Sequence, residues 1–277
     1  MTAVLFLFRR TKRAHLISSA MFPVEKDTKT CVAPLLFKSN KHIILSSVEG
    51  RYPELDIFRG IAVLAMIVYH GVFDLEYFYG WSIGLRTAPW ELMRVATVST
   101  FLALVGICFT ISWHKTPVHA RLRKYAQRSI TIFAGGMLIS LMTWFFASDA
   151  FVKFGILHLI GVSVFLQMLF ARIGAWNIAT GILVMLLALF LPATTSSSLL
   201  FPLGIPSPSF ASLDYYPLIP WFGLILLGMG IGSLLYIPEP RWQWTCRIPL
   251  LEYTGKRALL IYFIHQPILL GILFLLH

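Results

Sequence analysis

Seven long apolar segments follow one another along the chain, separated by short polar stretches. They cover residues 57–77, 93–113, 128–147, 154–172, 175–193, 217–236 and 257–276. Each is close to the about 20 residues that a helix needs to cross about 30 Å of hydrocarbon. The runs are continuous and lack the apolar-polar alternation of barrel strands. The sequence therefore predicts an all-α, polytopic membrane protein with about seven transmembrane helices.

The polar stretches between these segments predict the orientation. The loop after the second segment, "WHKTPVHARLRKYAQR", carries five basic residues, whereas the loop "TTSSSLLFPLGIPSPSFASLD" has neither lysine nor arginine. Basic loops stay preferentially in the cytoplasm. A cytoplasmic N-terminus, with the C-terminus outside, places almost every basic loop on that side. We therefore interpret the net charge of +11 as a topology signal, and no nucleic-acid partner is predicted.

Residues 1–50 differ from the rest in composition and form a separate region. Their apolar run "AVLFLF" precedes the basic "RRTKR", which is the reverse of a secretory signal. We expect a basic, poorly ordered cytoplasmic tail, with Met21 as an alternative start, followed by a membrane domain over residues 51–277. The cysteines Cys31, Cys108 and Cys246 lie far apart without metal-binding spacing, so no metal site and no disulfide framework is predicted.

The first apolar segment contains polar residues that a lipid-facing helix avoids. In "LDIFRGIAVLAMIVYHGVFDLEYFYGW", Arg59 stands at the predicted cytoplasmic start, and a charge near the bilayer centre costs about 3 kcal/mol or more. His70 follows about 16 Å further along a helix, in the outer half of the membrane. Asp74 lies four residues later on the same helical face, where the two side chains can touch.

A histidine beside a carboxylate can act as a general base, or as a nucleophile that attacks an acyl donor directly. His70 and Asp74 are therefore candidate catalytic residues. The alternatives are that His70 is a core histidine bonded to a neighbouring helix, and that Asp74 lies in interfacial water. His158 and His265 have the same two interpretations, functional or structural. Arg59 is either a topology anchor among lipid phosphates or a contact for an anionic cytoplasmic ligand.

The polar residues of the first segment resemble a known signature. Arg59 and His70 are similar to the R-x10-H pattern of the acyltransferase-3 family of membrane acyltransferases. The blocks "LDIFRGIAVLAMIVYH", "FLALVGICFTIS", "FGILHLIGVSVF" and "LEYTGKRALLIYFIHQPIL" resemble the heparan-α-glucosaminide N-acetyltransferase catalytic family and its bacterial relatives. Together these blocks extend over residues 51–276, nearly all of the chain after the tail.

This resemblance implies a transmembrane acyltransferase of the bacterial inner membrane, which moves an acetyl or related group from cytoplasmic acyl-CoA to a glycan or other small acceptor on the far side. It also implies acyl-CoA as a co-substrate and no bound cofactor. The resemblance implies donor contact for Arg59, catalysis for His70, and a shared cavity lined by His158 and His265. The characterised lysosomal enzyme of this family is held to use a histidine in the non-cytosolic segment after the first helix, and residues 71–113 of this chain contain none. Either His70 takes that role, or the mechanism differs, or activity is lost.

A transporter or flippase for a polar metabolite is the alternative function, with the buried histidines and carboxylate as a proton relay. Transporters commonly contain inverted repeats, and no internal repeat is evident in the chain. Partners implied by either function are the lipid bilayer and a small molecule, and the sequence leaves open a homo-oligomer.

Overall fold

The computed structural model describes residues 52–241 and 247–276, and the predicted tail of residues 1–50 lies outside them. Within these two ranges the chain forms α-helices and no strand. The helices are α1 (Pro53–Tyr79), α2 (Ala88–Lys115), α3 (Val118–Phe146), α4 (Ile156–Phe170), α5 (Asn177–Leu187), α6 (Leu218–Tyr236), α7 (Pro249–Lys256) and α8 (Ala258–Leu276). The prediction of an all-α protein is confirmed.

Five of these helices, α1, α2, α3, α6 and α8, are long and apolar enough to cross a membrane. α1 has 27 residues, which corresponds to about 40 Å at the rise of an α-helix. α4 and the stretch Gly174–Phe190 around α5 are apolar but shorter. Each of the seven predicted segments is thus helical, and five of them have full spanning length in the described part of the chain.

α1 and α2 run antiparallel, and the ends of the helices lie on two sides of the bundle. Tyr52 directly precedes α1. The ammonium group of Lys115, at the end of α2, lies 5.1 Å from the centroid of the Tyr52 ring. The hydroxyl of Tyr236, at the end of α6, donates a hydrogen bond to Glu54 at 3.0 Å. We call this side, which also carries Arg59, the Arg59 end, and the opposite side the far end.

Glycines allow the closest helix contacts. Gly106 of α2 lies against the backbone of α6 at Ile225, and Gly228 of α6 lies against the backbone of Ala103. Gly232, one turn later, faces Ile107. Gly228 and Gly232 have the small-xxx-small spacing that lets two backbones approach. α2 and α6 therefore form the tightest pair of the bundle, and their buried side chains build the main apolar core with those of α4.

The short helix α7 crosses the start of α1 and determines where α8 begins. Gly60 of α1 faces the backbone of Leu251, and Gly255 of α7 faces the backbone of Asp56. Neither position has room for a Cβ atom. α8 begins two residues after α7 ends. Its His265 contacts His70, beyond the part of α1 that α7 crosses, so α8 lies beside α1 and runs in the same direction. This arrangement brings the polar residues of α8 against those of α1.

Candidate functional site

His70 of α1 and His265 of α8 face each other across the interface between these helices. Their ring centroids are 5.0 Å apart, and the rings are nearly edge to face. His265 is buried, with 7% of its surface exposed, and His70 is partly buried. The structure thus brings together two of the histidines that the sequence singled out.

Asp74, one turn after His70, is fully buried. Its Oδ1 accepts a hydrogen bond from the side-chain amide of Gln266 at 2.7 Å. The sequence placed Asp74 beside His70, but among the described residues its hydrogen-bond partner is Gln266, while the His70 ring faces His265. A buried carboxylate requires a donor, and Gln266 is the donor that α8 supplies.

Three buried polar atoms of this interface have no hydrogen-bond partner among the described residues. They are Asp74 Oδ2, Gln266 Oε1 and His265 Nε2. Buried polar atoms in proteins are nearly always paired, so a group of unpaired ones calls for an explanation. A substrate group that donates N–H or O–H hydrogen bonds would pair them.

Arg94 joins the start of α2 to the loop before α6. Its guanidinium holds both oxygens of Glu91, and its Nε donates to Glu91 Oε2 at 2.9 Å. Its Nη1 donates to the hydroxyl of Tyr216 at 3.2 Å. Arg94 also interacts electrostatically with Tyr69, the neighbour of His70 in α1. A paired cation therefore lies beside the histidine-bearing face of α1.

Polar side chains continue from His265 towards this cation. The ring of Tyr262 lies 5.8 Å from that of His265, and Tyr262 interacts electrostatically with Asp214 and Tyr216. Asp214 Oδ2 accepts a hydrogen bond from the backbone N–H of Ile156 at 3.1 Å and so caps α4. We call the following set the polar centre: His70, Asp74, Arg94, Asp214, Tyr216, Tyr262, His265 and Gln266.

The pKa of Asp214 predicts a pH effect on stability. Burial raises this pKa from the ordinary value of 3.8 to about 6, against the opposing effects of the Ile156 N–H and of Arg94. Between these two values the folded protein holds a proton that the unfolded chain has lost. Stability should therefore decrease as pH rises through this interval. In Asp214→Asn, whose side chain can still accept the Ile156 hydrogen bond, thermal melting in detergent should depend less on pH.

The matched control for this experiment is Asp149→Asn, because Asp149 is exposed in the turn after α3. Its melting curve should keep the wild-type slope against pH. If the melting temperatures of the wild type and of Asp214→Asn changed equally with pH, the prediction would be wrong.

His158 lies between α3 and α4, and both of its ring nitrogens have partners. Nδ1 accepts the backbone N–H of Gly155 at 3.2 Å, and Nε2 lies 3.3 Å from Ser140 Oγ. Only 2% of its surface is exposed. These contacts are with α3 and with the start of α4, and they favour the structural interpretation. The role of His158 in lining a cavity with His70 stays a prediction.

Arg59 occupies the opposite end of α1 from the polar centre. Its Nη1 pairs with Asp56 Oδ1 at 2.7 Å, and its Nη2 donates to Cys108 Sγ at 3.0 Å. The side chain remains 24% exposed. Arg59 is therefore held in place while part of its guanidinium can still reach a ligand.

Sequence reasoning assigned a candidate role to His70, Asp74 and His265, and it gave none to the other five members of the polar centre, among them Arg94, Tyr262 and Gln266. Arg94 is a charge inside the predicted segment 93–113, and intramembrane charges are by default functional candidates. Gln266 is an amide in the middle of the apolar run of α8. Both signals were present in the sequence, whereas the proximity of Tyr262 to Asp214 follows only from the fold.

Comparison with known proteins shows which family the chain belongs to. The family model described as heparan-alpha-glucosaminide N-acetyltransferase, catalytic, matches residues 51–267, a stretch that contains Arg59 and the whole polar centre. The chain belongs to this family. No curated protein and no solved structure matches the chain. Among the described residues, no group of three or more histidine, cysteine or acidic side chains could hold a metal ion.

Membership in the heparan-alpha-glucosaminide N-acetyltransferase catalytic family confirms the resemblance seen in the sequence blocks. Together with the apolar helices of spanning length, it indicates an integral membrane protein with acetyltransferase activity. The polar centre is the candidate active site of this enzyme, because it contains the buried titratable and unpaired polar groups between α1 and α8.

Proposed function

We propose that this protein transfers an acetyl or related acyl group from cytoplasmic acyl-CoA to a glycan or other small acceptor on the far side of the inner membrane of a bacterium. The observation that carries the proposal is the set of unpaired buried atoms at the His70–His265 interface, inside a helical bundle of an acetyltransferase family. An acceptor amine or hydroxyl supplies the donor hydrogen bonds that these atoms lack.

The Arg59 end suits the donor. Basic residues gather where α2 ends and α3 begins, and they are Lys115, Arg121, Arg123, Lys124 and Arg128. Arg59 adds a guanidinium whose planar donors match phosphate geometry. We propose that this cationic surface binds the phosphates of acyl-CoA. The thioester then extends along α1 towards His70, about 16 Å away by helical rise.

The polar centre suits the reaction. His70 and Asp74 are the proposed catalytic residues, and His265 borders the same buried space. A buried imidazole can take a proton from the acceptor or contact the acyl carbonyl. The family name points to an amino sugar as a suitable acceptor probe, and the acceptor group attacks the thioester carbonyl while CoA leaves as the thiol.

The proposal is tested with membrane vesicles from cells that express the protein. Radiolabelled acetyl-CoA, which does not cross membranes, is supplied on one side only, with a glucosamine glycoside or native membrane glycans as acceptors. Label should enter a product that is not CoA when acetyl-CoA has access to the Arg59 end, and not when it has access to the far end alone. Vesicles without the protein are the control.

Two results would count against this function. The first is an absence of label transfer from either side, and the second is transfer that does not depend on which side receives acetyl-CoA. Uptake of a metabolite coupled to a pH gradient, without acyl transfer, would instead support the transporter alternative.

A further inference from the structure

We propose that Nε2 of His265 is the atom that removes the proton from the acceptor, and that the Gln266–Asp74 pair positions the acceptor group in front of it. This inference rests on the proposed acyl transfer. It assigns the base to α8, while His70 on α1 contacts the other side of the reacting group.

The hydrogen bonds of the His265 ring determine its tautomer. Its Nδ1 lies 2.8 Å from the carbonyl oxygen of Tyr262 and 3.2 Å from that of Ile261. Carbonyl oxygens only accept hydrogen bonds, so Nδ1 carries the proton. The other nitrogen, Nε2, then has a free lone pair. The backbone of α8 thus holds His265 in the tautomer that a base requires.

The unpaired atoms of the α1–α8 interface are acceptors rather than donors. Nε2 is buried and unpaired, as are Asp74 Oδ2 and Gln266 Oε1. Because the Gln266 amide nitrogen donates to Asp74, its oxygen is left as an acceptor. All three unpaired atoms therefore accept hydrogen bonds, and an N–H or O–H group of the acceptor is what would satisfy them.

His70 lacks this orientation. Its described contacts are ring contacts with His265 and Tyr69, and within residues 52–241 and 247–276 no hydrogen bond determines its tautomer. Either ring nitrogen of His70 can therefore carry the proton. Of the two histidines, only His265 has its basic nitrogen defined by the protein itself.

The acceptor nitrogen or oxygen attacks the acyl carbonyl carbon, and its proton passes to Nε2 of His265. The new carbon–nitrogen or carbon–oxygen bond forms, the carbon–sulfur bond breaks, and its electron pair leaves with the sulfur of CoA. The proton on His265 then passes to the CoA thiolate, which returns the ring to its neutral form.

Other titratable groups face His265 and belong to any pH profile. His70 faces it from α1, Asp74 of α1 bonds the neighbouring Gln266, and Tyr262 lies beside it on its own helix. Tyr262 in turn interacts with Asp214 and Tyr216 from the loop before α6. A substitution that removes only the His265 base must therefore be compared with one at His70.

His265→Asn is the decisive variant, because the asparagine amide can keep the donor bond to the Tyr262 and Ile261 carbonyls but has no counterpart of Nε2. In the full-length protein, with radiolabelled acetyl-CoA and membrane acceptors, kcat should fall about 100-fold or more, in the range of general-base catalysis. The KM for acetyl-CoA should stay within about twofold of the wild-type value, because truncating a base mainly affects the transition state.

The matched control is His114→Asn. His114 is exposed at the end of α2, and its Nδ1 bonds a backbone carbonyl four residues earlier, that of Thr110, at 2.9 Å. The same substitution there should leave kcat unchanged. The residual activity of His265→Asn should also lose the decline towards acid pH that reflects protonation of the base, whereas the residual activity of His70→Asn should keep it.

Each outcome decides the inference. If His265→Asn does not accumulate as folded protein, His265→Gln, which also lacks a base, replaces it. Wild-type kcat or an unchanged pH profile in the folded variant would overturn the assignment while leaving the acyl transfer intact. An inactive wild type would instead overturn the proposed function.

Discussion

Replacing His70 with alanine should lower the rate of acetyl transfer about 100-fold or more, which is the range for removing one side chain that contacts the reacting atoms. The ring of His70 lies 5.0 Å from that of His265 and borders the unpaired atoms of the polar centre. Its loss removes the contact to the reacting group on the α1 side. The measurement is the initial rate of label transfer from radiolabelled acetyl-CoA, at equal amounts of folded protein.

The control for this variant is His119→Ala, since His119 is exposed at the start of α3. Its rate should equal that of the wild type. Label transfer that is unaffected by His70→Ala would remove His70 from the mechanism and leave His265 of α8 as the histidine of the catalytic step.

The second large effect concerns folding. Gly106→Val should prevent accumulation of the folded protein, because a Cβ at this position overlaps the α6 backbone at Ile225 and Met229. Helix backbones cannot yield as a flexible side chain can, and even ordinary overpacking of a core costs about 1–3 kcal/mol. Size-exclusion chromatography in mild detergent should show loss of the monodisperse peak, with a lower melting temperature for any remaining protein.

Gly271→Val is the matched control, because nothing lies within 4 Å of a Cβ added at this glycine of α8. Both variants place the same side chain in a transmembrane helix, so they differ only in packing. Equal yields and equal melting temperatures for the two variants would show that the α2–α6 contact does not limit folding.

The helices were predictable because a bilayer imposes a simple requirement. A segment that crosses hydrocarbon must satisfy its backbone hydrogen bonds internally and present apolar side chains over about 20 residues. Each apolar run therefore predicts a helix, whichever other segments pack against it. The close approach at Gly228 and Gly232 was also predictable, since small residues one turn apart mark a packing face.

The partners of the polar residues were not predictable in the same way. The spacing of His70 and Asp74 allowed a contact, yet Asp74 bonds Gln266, which lies 192 positions away in the chain. Helical spacing defines which residues share a face, but not which helix packs against that face. The α7 crossing at Gly60 and Gly255 determines that choice, and nothing in the pattern of α1 reveals it.

The sequence by itself determined the membrane-spanning helices, the family blocks and the position of His70, because each depends on composition and order along the chain. The tertiary structure alone decided that His265, Gln266 and Asp74 form one interface and that His158 is bonded elsewhere. The physical reason is that a buried polar atom takes its partner from whichever helix packing brings close. That partner is a property of three-dimensional distance rather than of sequence spacing.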